Sequence, residues 1–255
     1  MSIGNLELSE TNKDNGAVYG EDYLNWKNWD VTQFGILTKL EERHLTSEIS
    51  KSKCSFPPKS SVLEIGFGNG NFLTYGKNRD WDIYGTEVNK YLVEIAKQNG
   101  FNVLQTYNLE CFAENMFDLV AAFDVLEHIP QDKLLDFLTQ IKRILKNNGV
   151  FIARFPNGDS PFSLLYQNGD MTHVTTIGSL KVKYLAKKLG VDLIYVGSES
   201  QRLWAENVVH ITHYIIAAAV KRIVNVLVNL IFYPLAKPAF TSLNLIMIFR
   251  VLKRP

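Results

Sequence analysis

The sequence predicts an α/β fold with a mostly parallel β-sheet and helices on both of its faces. Short apolar segments rich in β-branched residues alternate with segments of helical periodicity, which is typical of parallel strands joined by right-handed crossovers. The apolar segment 61–65 runs into a loop with glycines at alternate positions, Gly66, Gly68 and Gly70. The segment 117–123 is continuously apolar, as expected of a strand that is buried on both faces.

Composition and charge limit the class of protein. The chain has 255 residues, of which 46% are hydrophobic, so it can bury a sizeable core without a structural metal or a disulfide. Its net charge of +1 gives no strong field that would attract nucleic acid. The two cysteines, Cys54 and Cys111, lack metal-ligand spacing and indicate free thiols in a reducing compartment. Residues 1–20 lack the apolar core of a signal peptide, so we expect a cytoplasmic protein.

The pattern along the chain predicts an N-terminal segment, residues 1–50, and a main domain, residues 51–255. The N-terminal segment has an aromatic stretch from Tyr19 to Phe34 and a helix at 36–50. In the main domain, helices are predicted at 71–77, 89–99, 131–145 and 179–189, and a glycine or an Asn-Gly pair ends three of these four. Strands are predicted at 61–65, 82–86, 101–105, 117–123, 150–155, 191–196 and 243–251.

The glycine spacing after the first strand distinguishes between two classes of ligand. A dinucleotide fingerprint, Gly-x-Gly-x-x-Gly, would require glycine at position 71, which is Asn71. An acid, Glu64, stands two residues before the first glycine. The resulting pattern, acid-x-Gly-x-Gly-x-Gly, resembles the first motif of the S-adenosylmethionine-dependent methyltransferases with a Rossmann-like fold. This resemblance implies seven strands, with the last one antiparallel.

The resemblance assigns cofactor-binding roles to residues in four segments between positions 61 and 196. The loop that holds the methionyl moiety would contain Glu64, Gly66, Phe67, Gly68 and Gly70. At the end of the second strand, Glu87 would accept hydrogen bonds from the ribose hydroxyls, unless it is simply a solvated acid at a helix start. Val88 would flank the adenine. Near Asn108 and Leu109 the family usually has an acid that accepts from the adenine amino group. In this chain the side-chain carbonyl of Asn108 would replace it.

A fourth segment indicates the type of methyltransferase. Asp124, which follows the fourth strand, is a further candidate for cofactor binding, and Leu126-Glu127-His128-Ile129-Pro130 comes next. This run resembles small-molecule O-methyltransferases of ubiquinone biosynthesis and polysaccharide modification. It implies S-adenosylmethionine as cofactor and an acceptor hydroxyl on a sugar, a glycan or a lipid-linked small molecule. The alternatives are a quinone or aromatic O-methyltransferase, and a scaffold that binds the cofactor without catalysis.

A neutral hydroxyl acceptor must lose its proton, usually to His, Asp or Glu. The first candidate is His173, in the run Asp170-Met171-Thr172-His173, and His128 and Asp124 are the others. His128 has the alternative role of stabilising a turn. Glu127 could bind a metal or cap the following turn. Because there is no second cluster of acids at ligand spacing, we expect no required metal.

The N-terminal aromatic residues Tyr19, Tyr23, Trp26 and Trp29 have two interpretations. They could form a lid that covers the cofactor and excludes water, or they could pack on the edge of the sheet. The spacing Tyr-x-x-Trp-x-x-Trp resembles N-terminal segments of bacterial methyltransferases, which favours the lid.

An insertion at 207–238 contains an apolar helix, predicted at 207–233. A membrane span would place Lys221 and Arg222 near mid-bilayer, which is costly. Polar residues recur at helical spacing, so we expect an amphipathic helix that ends at Pro234; they are His210, His213, Lys221, Asn225 and Asn229. Three interpretations remain: packing on the domain, a homodimer interface, or peripheral contact with the inner face of the membrane.

Overall fold

The computed structural model describes residues 31–201 and 208–252, which contain one seven-stranded sheet of order β3-β2-β1-β4-β5-β7-β6. Its strands are β1 (Ser61–Ile65), β2 (Asp82–Glu87), β3 (Asn102–Gln105), β4 (Phe117–Phe123), β5 (Leu145–Pro156), β6 (Asp192–Ser198) and β7 (Asn244–Arg250). Strands β1 to β5 pair in parallel, whereas β7 lies antiparallel between β5 and β6. The predicted fold class is confirmed, including the antiparallel last strand.

Seven α-helices are formed by the described residues. They are α1 (Lys39–Ser50), α2 (Asn71–Lys77), α3 (Lys90–Gln98), α4 (Leu134–Ile144), α5 (Leu164–Gly169), α6 (Ser179–Leu189) and α7 (Val208–Phe232). Helices α2 and α6 have the predicted bounds, while the short α5 was not predicted. Strand β5 begins five residues earlier than predicted because Leu145 is already extended and pairs with Phe117.

Two apolar clusters cover opposite faces of the sheet. Because successive side chains of a strand point to opposite faces, Leu63 packs in the cluster under α4 and α6, whereas Val62 packs in the cluster under α1 and α2. Leu45 and Ile49 of α1 belong to this second cluster. Helix α1, which falls in the predicted N-terminal segment, is therefore part of the main core.

The strand order places a ligand crevice between β1 and β4. The chain proceeds outward from β1 through β2 and β3 on one side, and through β4 and β5 on the other. Ligands of open α/β sheets bind at such a switch point, beyond the carboxyl ends of the strands. Ile65 is in register with Ala122 of β4, so the glycine loop after β1 lies next to the loop that begins at Asp124.

Candidate active site

A cavity of about 1100 Å³ opens at this switch point. Most of the predicted site residues line it: Glu64, Gly66, Phe67, Gly68, Glu87, Val88, Asn108, Leu109, Asp124 and His128. Gly70 and His173 are not among the lining residues. Typical small-molecule sites have roughly 300–1,000 Å³, so this cavity has room for a cofactor and a small acceptor together.

The carboxylate of Glu87 joins the glycine loop to the end of β2. Its Oε2 accepts from the backbone N–H of Gly68 (3.2 Å), and its Oε1 accepts from Val88 (2.7 Å) and Asn89 (3.1 Å). A carboxylate offers about four lone pairs, so about one remains for a ribose hydroxyl. Burial raises the pKa of Glu87, although these three backbone donors oppose the shift.

Three backbone N–H groups of the glycine loop are already engaged within the protein, whereas several oxygens beside the loop are available as acceptors. The N–H groups of Gly66 and Phe67 donate to the carbonyl of Thr86 (2.7 and 3.3 Å), and that of Gly68 donates to Glu87. Three buried oxygens of the cavity lining have no hydrogen-bond partner in the described part of the chain, namely Glu64 Oε2, Asn69 Oδ1 and Asn71 Oδ1.

These acceptors fit the methionyl ammonium of S-adenosylmethionine, which has only donors to offer. Burial, together with the charge of Glu87, raises the pKa of Glu64 well above the ordinary glutamate value. A cation beside Glu64 would favour its charged form. The residues present therefore fit the group that the sequence implies.

Gly70 has a structural role that differs from the predicted one. Its φ of +75° lies in the left-handed region, where it precedes α2. A Cβ at this position would lie 2.5 Å from the ring of Phe34. Glycine is therefore required here by the turn and by the position of Phe34. Gly70 is not among the residues that line the cavity.

The region predicted for adenine contains an acid that the sequence analysis missed. The Oδ1 of Asn108 accepts from the backbone N–H of Glu110 (2.9 Å), and its Nδ2 donates to the Glu110 carboxylate (3.2 Å). The side chain of Asn108 thus caps the short turn Leu109–Cys111. Glu110 itself lines the cavity. The family pattern, which has an acid in this region, was the signal that could have identified it.

Asp124 forms an ion pair with Arg154 at the end of β5. Both carboxylate oxygens of Asp124 accept from the guanidinium, with 3.0 Å between Nε and Oδ1. Burial acts to lower the pKa of Arg154, but the charge and hydrogen bond of Asp124, with the charges of Glu199 and Glu127, raise it, and the net shift is upward. Asp124 is engaged in this pair and is a poor candidate base. Arg154 was missed, although a basic residue in an otherwise apolar strand was a signal.

His128 lines the cavity and is oriented by the loop after α5. Its Nδ1 lies 3.2 Å from the backbone carbonyl of Thr172 and 2.9 Å from the Thr172 hydroxyl, which in turn donates to Asp170. Because a carbonyl can only accept, Nδ1 must carry the proton. The tautomer inferred from these bonds leaves Nε2 as the basic nitrogen.

His173 lies behind His128 and not at the cavity wall. Its ring centroid is 4.7 Å from that of His128, and its side chain is only 7% exposed. Its Nε2 lies 3.5 Å from Asp170 and 3.8 Å from Glu127. The structure therefore does not support His173, the first candidate from the sequence, as the group that contacts the acceptor.

Two further features concern metal binding and the lid. Ligand atoms of Glu127, His128 and His173 lie within 4.8 Å of one another and could hold a metal ion, so the expectation of no required metal stays a prediction.

The aromatic residues proposed as a lid, at positions 19–29, lie outside the described residues. Helix α1 contributes Glu41, His44 and Leu45 to the cavity wall, which the sequence did not indicate.

Comparisons with known proteins agree with this geometry. Residues 63–153 match a family model described as a methyltransferase domain. The chain is 30% identical over 139 residues to an uncharacterized protein of Methanocaldococcus jannaschii, an alignment that covers 54% of this chain and 60% of that protein. It is 25% identical over 153 residues to a ubiquinone biosynthesis O-methyltransferase of Rickettsia typhi, covering 57% and 61% of the two chains.

The fold is shared with solved methyltransferase structures. An S-adenosylmethionine-dependent methyltransferase from Archaeoglobus fulgidus superposes with a TM-score of 0.60 at 20% identity, covering 83% of this chain and 93% of that one. This likeness establishes the fold. The chain spans about 60% of the length of the two curated relatives. The domain match, the relatives and the fold therefore all make this chain similar to methyltransferases, among which the Archaeoglobus fulgidus protein is named as S-adenosylmethionine-dependent.

Proposed function

We propose that this protein is an S-adenosylmethionine-dependent O-methyltransferase that acts on a hydroxyl group of a small molecule. The observation that carries the proposal is the convergence of Glu64, Glu87 and His128 on one cavity at the β1/β4 switch point. Glu64 suits the methionyl ammonium of the cofactor, Glu87 suits its ribose, and His128 is a base of suitable type. S-adenosylmethionine, when bound, would supply an electrophilic methyl group from its sulfonium and would leave as S-adenosylhomocysteine.

The cofactor-binding residues divide the cavity into regions. The remaining acceptor position of Glu87 binds a ribose hydroxyl. Glu64 Oε2, with the amide oxygens of Asn69 and Asn71, binds the methionyl ammonium. Glu110, at the other end of the lining, accepts from the adenine amino group. Glu87 already joins the glycine loop to the end of β2 by hydrogen bonds. These segments therefore lose little conformational entropy when the cofactor binds, which favours affinity.

His128 is the proposed general base. Its Nε2 accepts the proton that the acceptor hydroxyl loses as the new bond to oxygen forms. The Thr172 carbonyl and hydroxyl accept from Nδ1–H, and Asp170 accepts from that hydroxyl. The ring is thereby kept in the tautomer whose proton is on Nδ1 and whose lone pair is on Nε2. The Asp124–Arg154 pair forms a fixed polar wall beside this base.

For the acceptor we place a sugar, glycan or lipid-linked hydroxyl first, as the Leu126–Pro130 run suggests. A quinol or other phenol is the second candidate, because relatives from Rickettsia typhi and Rickettsia felis are named ubiquinone biosynthesis O-methyltransferases. Both acceptors present a hydroxyl, so both need the same base. They differ in the group beside the hydroxyl, which is a saturated ring in one case and an aromatic ring in the other.

Two measurements test the proposal. Equilibrium binding of S-adenosylhomocysteine, by calorimetry, tests the cofactor site; transfer of a labelled methyl group to a panel of sugar, lipid-linked sugar and phenolic acceptors tests the reaction. We expect binding, and transfer to one acceptor class. Absence of binding would refute the cofactor assignment. Binding without transfer to any hydroxyl acceptor would instead favour the non-catalytic scaffold.

A further inference from the structure

Helix α7 packs through its polar side against the segment that joins it to β7. Asn225 Oδ1 accepts from the backbone N–H of Thr241 (3.4 Å), and Asn229 Nδ2 donates to the carbonyl of Pro238 (3.1 Å). The Thr241 hydroxyl donates to the carbonyl of Lys221 (3.2 Å). The side of α7 that makes these contacts therefore carries polar groups, whereas a surface helix usually turns its apolar side inward. This argues against the simplest sequence-based interpretation, in which the apolar side packs on the domain.

The opposite side of α7 is apolar and exposed. We call it the outer face; its largest members are Ile216, Ile223, Leu227 and Leu230, all more than half exposed. At 3.6 residues per turn these side chains project away from Asn225. Residues Thr212–Phe232 form a 21-residue stretch with a mean hydropathy of 2.0, of which none is buried, so the helix is long and apolar enough to cross a membrane.

The contacts of α7 favour a position in the plane of a membrane over a span. A span would place Asn225, Asn229 and two basic residues inside the hydrocarbon, where polar and charged groups are costly. Lys221 is one turn before Asn225, and Arg222 is two turns before Asn229, so both basic residues lie on the polar side. With the outer face in the acyl region, they lie at the level of the lipid headgroups.

A second exposed apolar segment lies near α7. Phe162, Leu165 and Met171 follow β5, and Leu165 and Met171 are 76% and 98% exposed. The ring of Phe162 contacts that of Phe240, in the segment on which α7 packs, with 6.0 Å between centroids. The two apolar surfaces are thus linked near the carboxyl end of β5.

The charge distribution indicates which partner covers this surface. Residues 207–255 contain six Lys and Arg and no Asp or Glu, whereas the rest of the chain has 21 basic and 26 acidic residues. Such a basic, apolar segment complements an anionic lipid surface. A second copy that met the same segment of this chain would offer these basic residues no acidic partner, because the segment contains none.

We propose that the outer face of α7, together with Phe162, Leu165 and Met171, docks in the plane of an anionic lipid bilayer. In a cytoplasmic protein this is the inner face of the membrane. The inference does not depend on the methyltransferase assignment. It has a consequence for that site, because Met171 immediately precedes Thr172, which holds His128. Docking would thus place the segment that orients His128 next to the lipid.

Vesicle co-sedimentation of the full-length protein tests the proposal. We expect binding to phosphatidylcholine vesicles that contain phosphatidylglycerol, and weaker binding at high salt. The double variant Leu227→Glu/Leu230→Glu should bind at least about tenfold more weakly. The matched control is Ile36→Glu/Tyr91→Glu, which alters two similarly exposed apolar residues outside the docking surface and should bind like the wild type. Circular dichroism checks that both variants are folded.

Three results would overturn the proposal. The first is the absence of vesicle binding. Light scattering would then show whether the protein is a monomer or a dimer that the Leu227/Leu230 variant dissociates, and either state would overturn the proposal. The second is vesicle binding that this variant leaves unchanged, which would place the contact elsewhere. The third is resistance of the bound protein to an alkaline carbonate wash, which would indicate a membrane span.

Discussion

Replacing Glu87 with glutamine tests the cofactor site with the smallest change in shape. The amide oxygen of glutamine can still accept from Val88 and Asn89, but its NH2 group then faces the N–H of Gly68. A hydrogen bond to a charged group contributes roughly 1.5–3 kcal/mol. Loss of the bond to the ribose should therefore weaken cofactor binding by roughly 10- to 150-fold. The unpaired Gly68 N–H should cost about 1–3 kcal/mol of folding free energy.

Titration calorimetry with S-adenosylhomocysteine measures the first effect, and urea unfolding measures the second. The matched control is Glu94→Gln, which removes an exposed carboxylate 3.8 Å from Lys90 on the neighbouring helix α3. This control should leave both affinity and stability unchanged. If Glu87→Gln bound the ligand within about twofold of the wild type, the reasoning from lone pairs and burial would be refuted.

The remaining predictions concern the base, the buried acid and the metal. His128→Ala should lower methyl transfer by roughly 10²- to 10⁴-fold without changing the affinity for S-adenosylhomocysteine. Thr172→Val should lower methyl transfer less and should shift the pH–rate profile. Full activity of His128→Ala would exclude His128 as the base. Burial raises the pKa of Glu64 above the ordinary value of 4.5, so its contribution to stability is present below that pH and is lost as the pH rises through the raised pKa. Urea unfolding without cofactor should therefore show Glu64→Gln to be more stable than the wild type at neutral pH; an equal pH dependence of the two proteins would contradict this. Dialysis against a chelator should leave methyl transfer unchanged, whereas activity lost and then restored by a divalent cation would assign a metal to Glu127, His128 and His173.

The sequence predicted accurately those elements whose first and last residues are determined by neighbouring residues in the chain. Strands β1 and β4 are apolar runs, and Gly190 follows α6, so neighbouring residues determine their ends. The start of β5 depends on pairing between Leu145 and Phe117, which lie far apart in the sequence. Helix α5 is only six residues long and has too little periodicity to predict it.

The same distinction holds for the candidate site. Glu87 is the last residue of β2 and His128 lies in the turn after β4, so their place at the carboxyl edge of the sheet could be predicted. Arg154 and Glu41 reach the cavity from β5 and α1, and their contribution depends on tertiary packing. The choice of His173 is not supported by the structure, because a loop position alone does not determine whether a side chain lines the cavity.

The loop that carries these two residues is fixed to the turn after β4. The backbone carbonyl of Glu127 accepts from the N–H groups of both Val174 (2.9 Å) and Thr175 (3.0 Å). The loop cannot move away while that turn stays closed, so both segments should open as one cooperative unit in amide hydrogen exchange. The orientation of the imidazole is then set during folding, before any ligand arrives. Catalysis at this site would begin from a base that has already lost its rotational freedom.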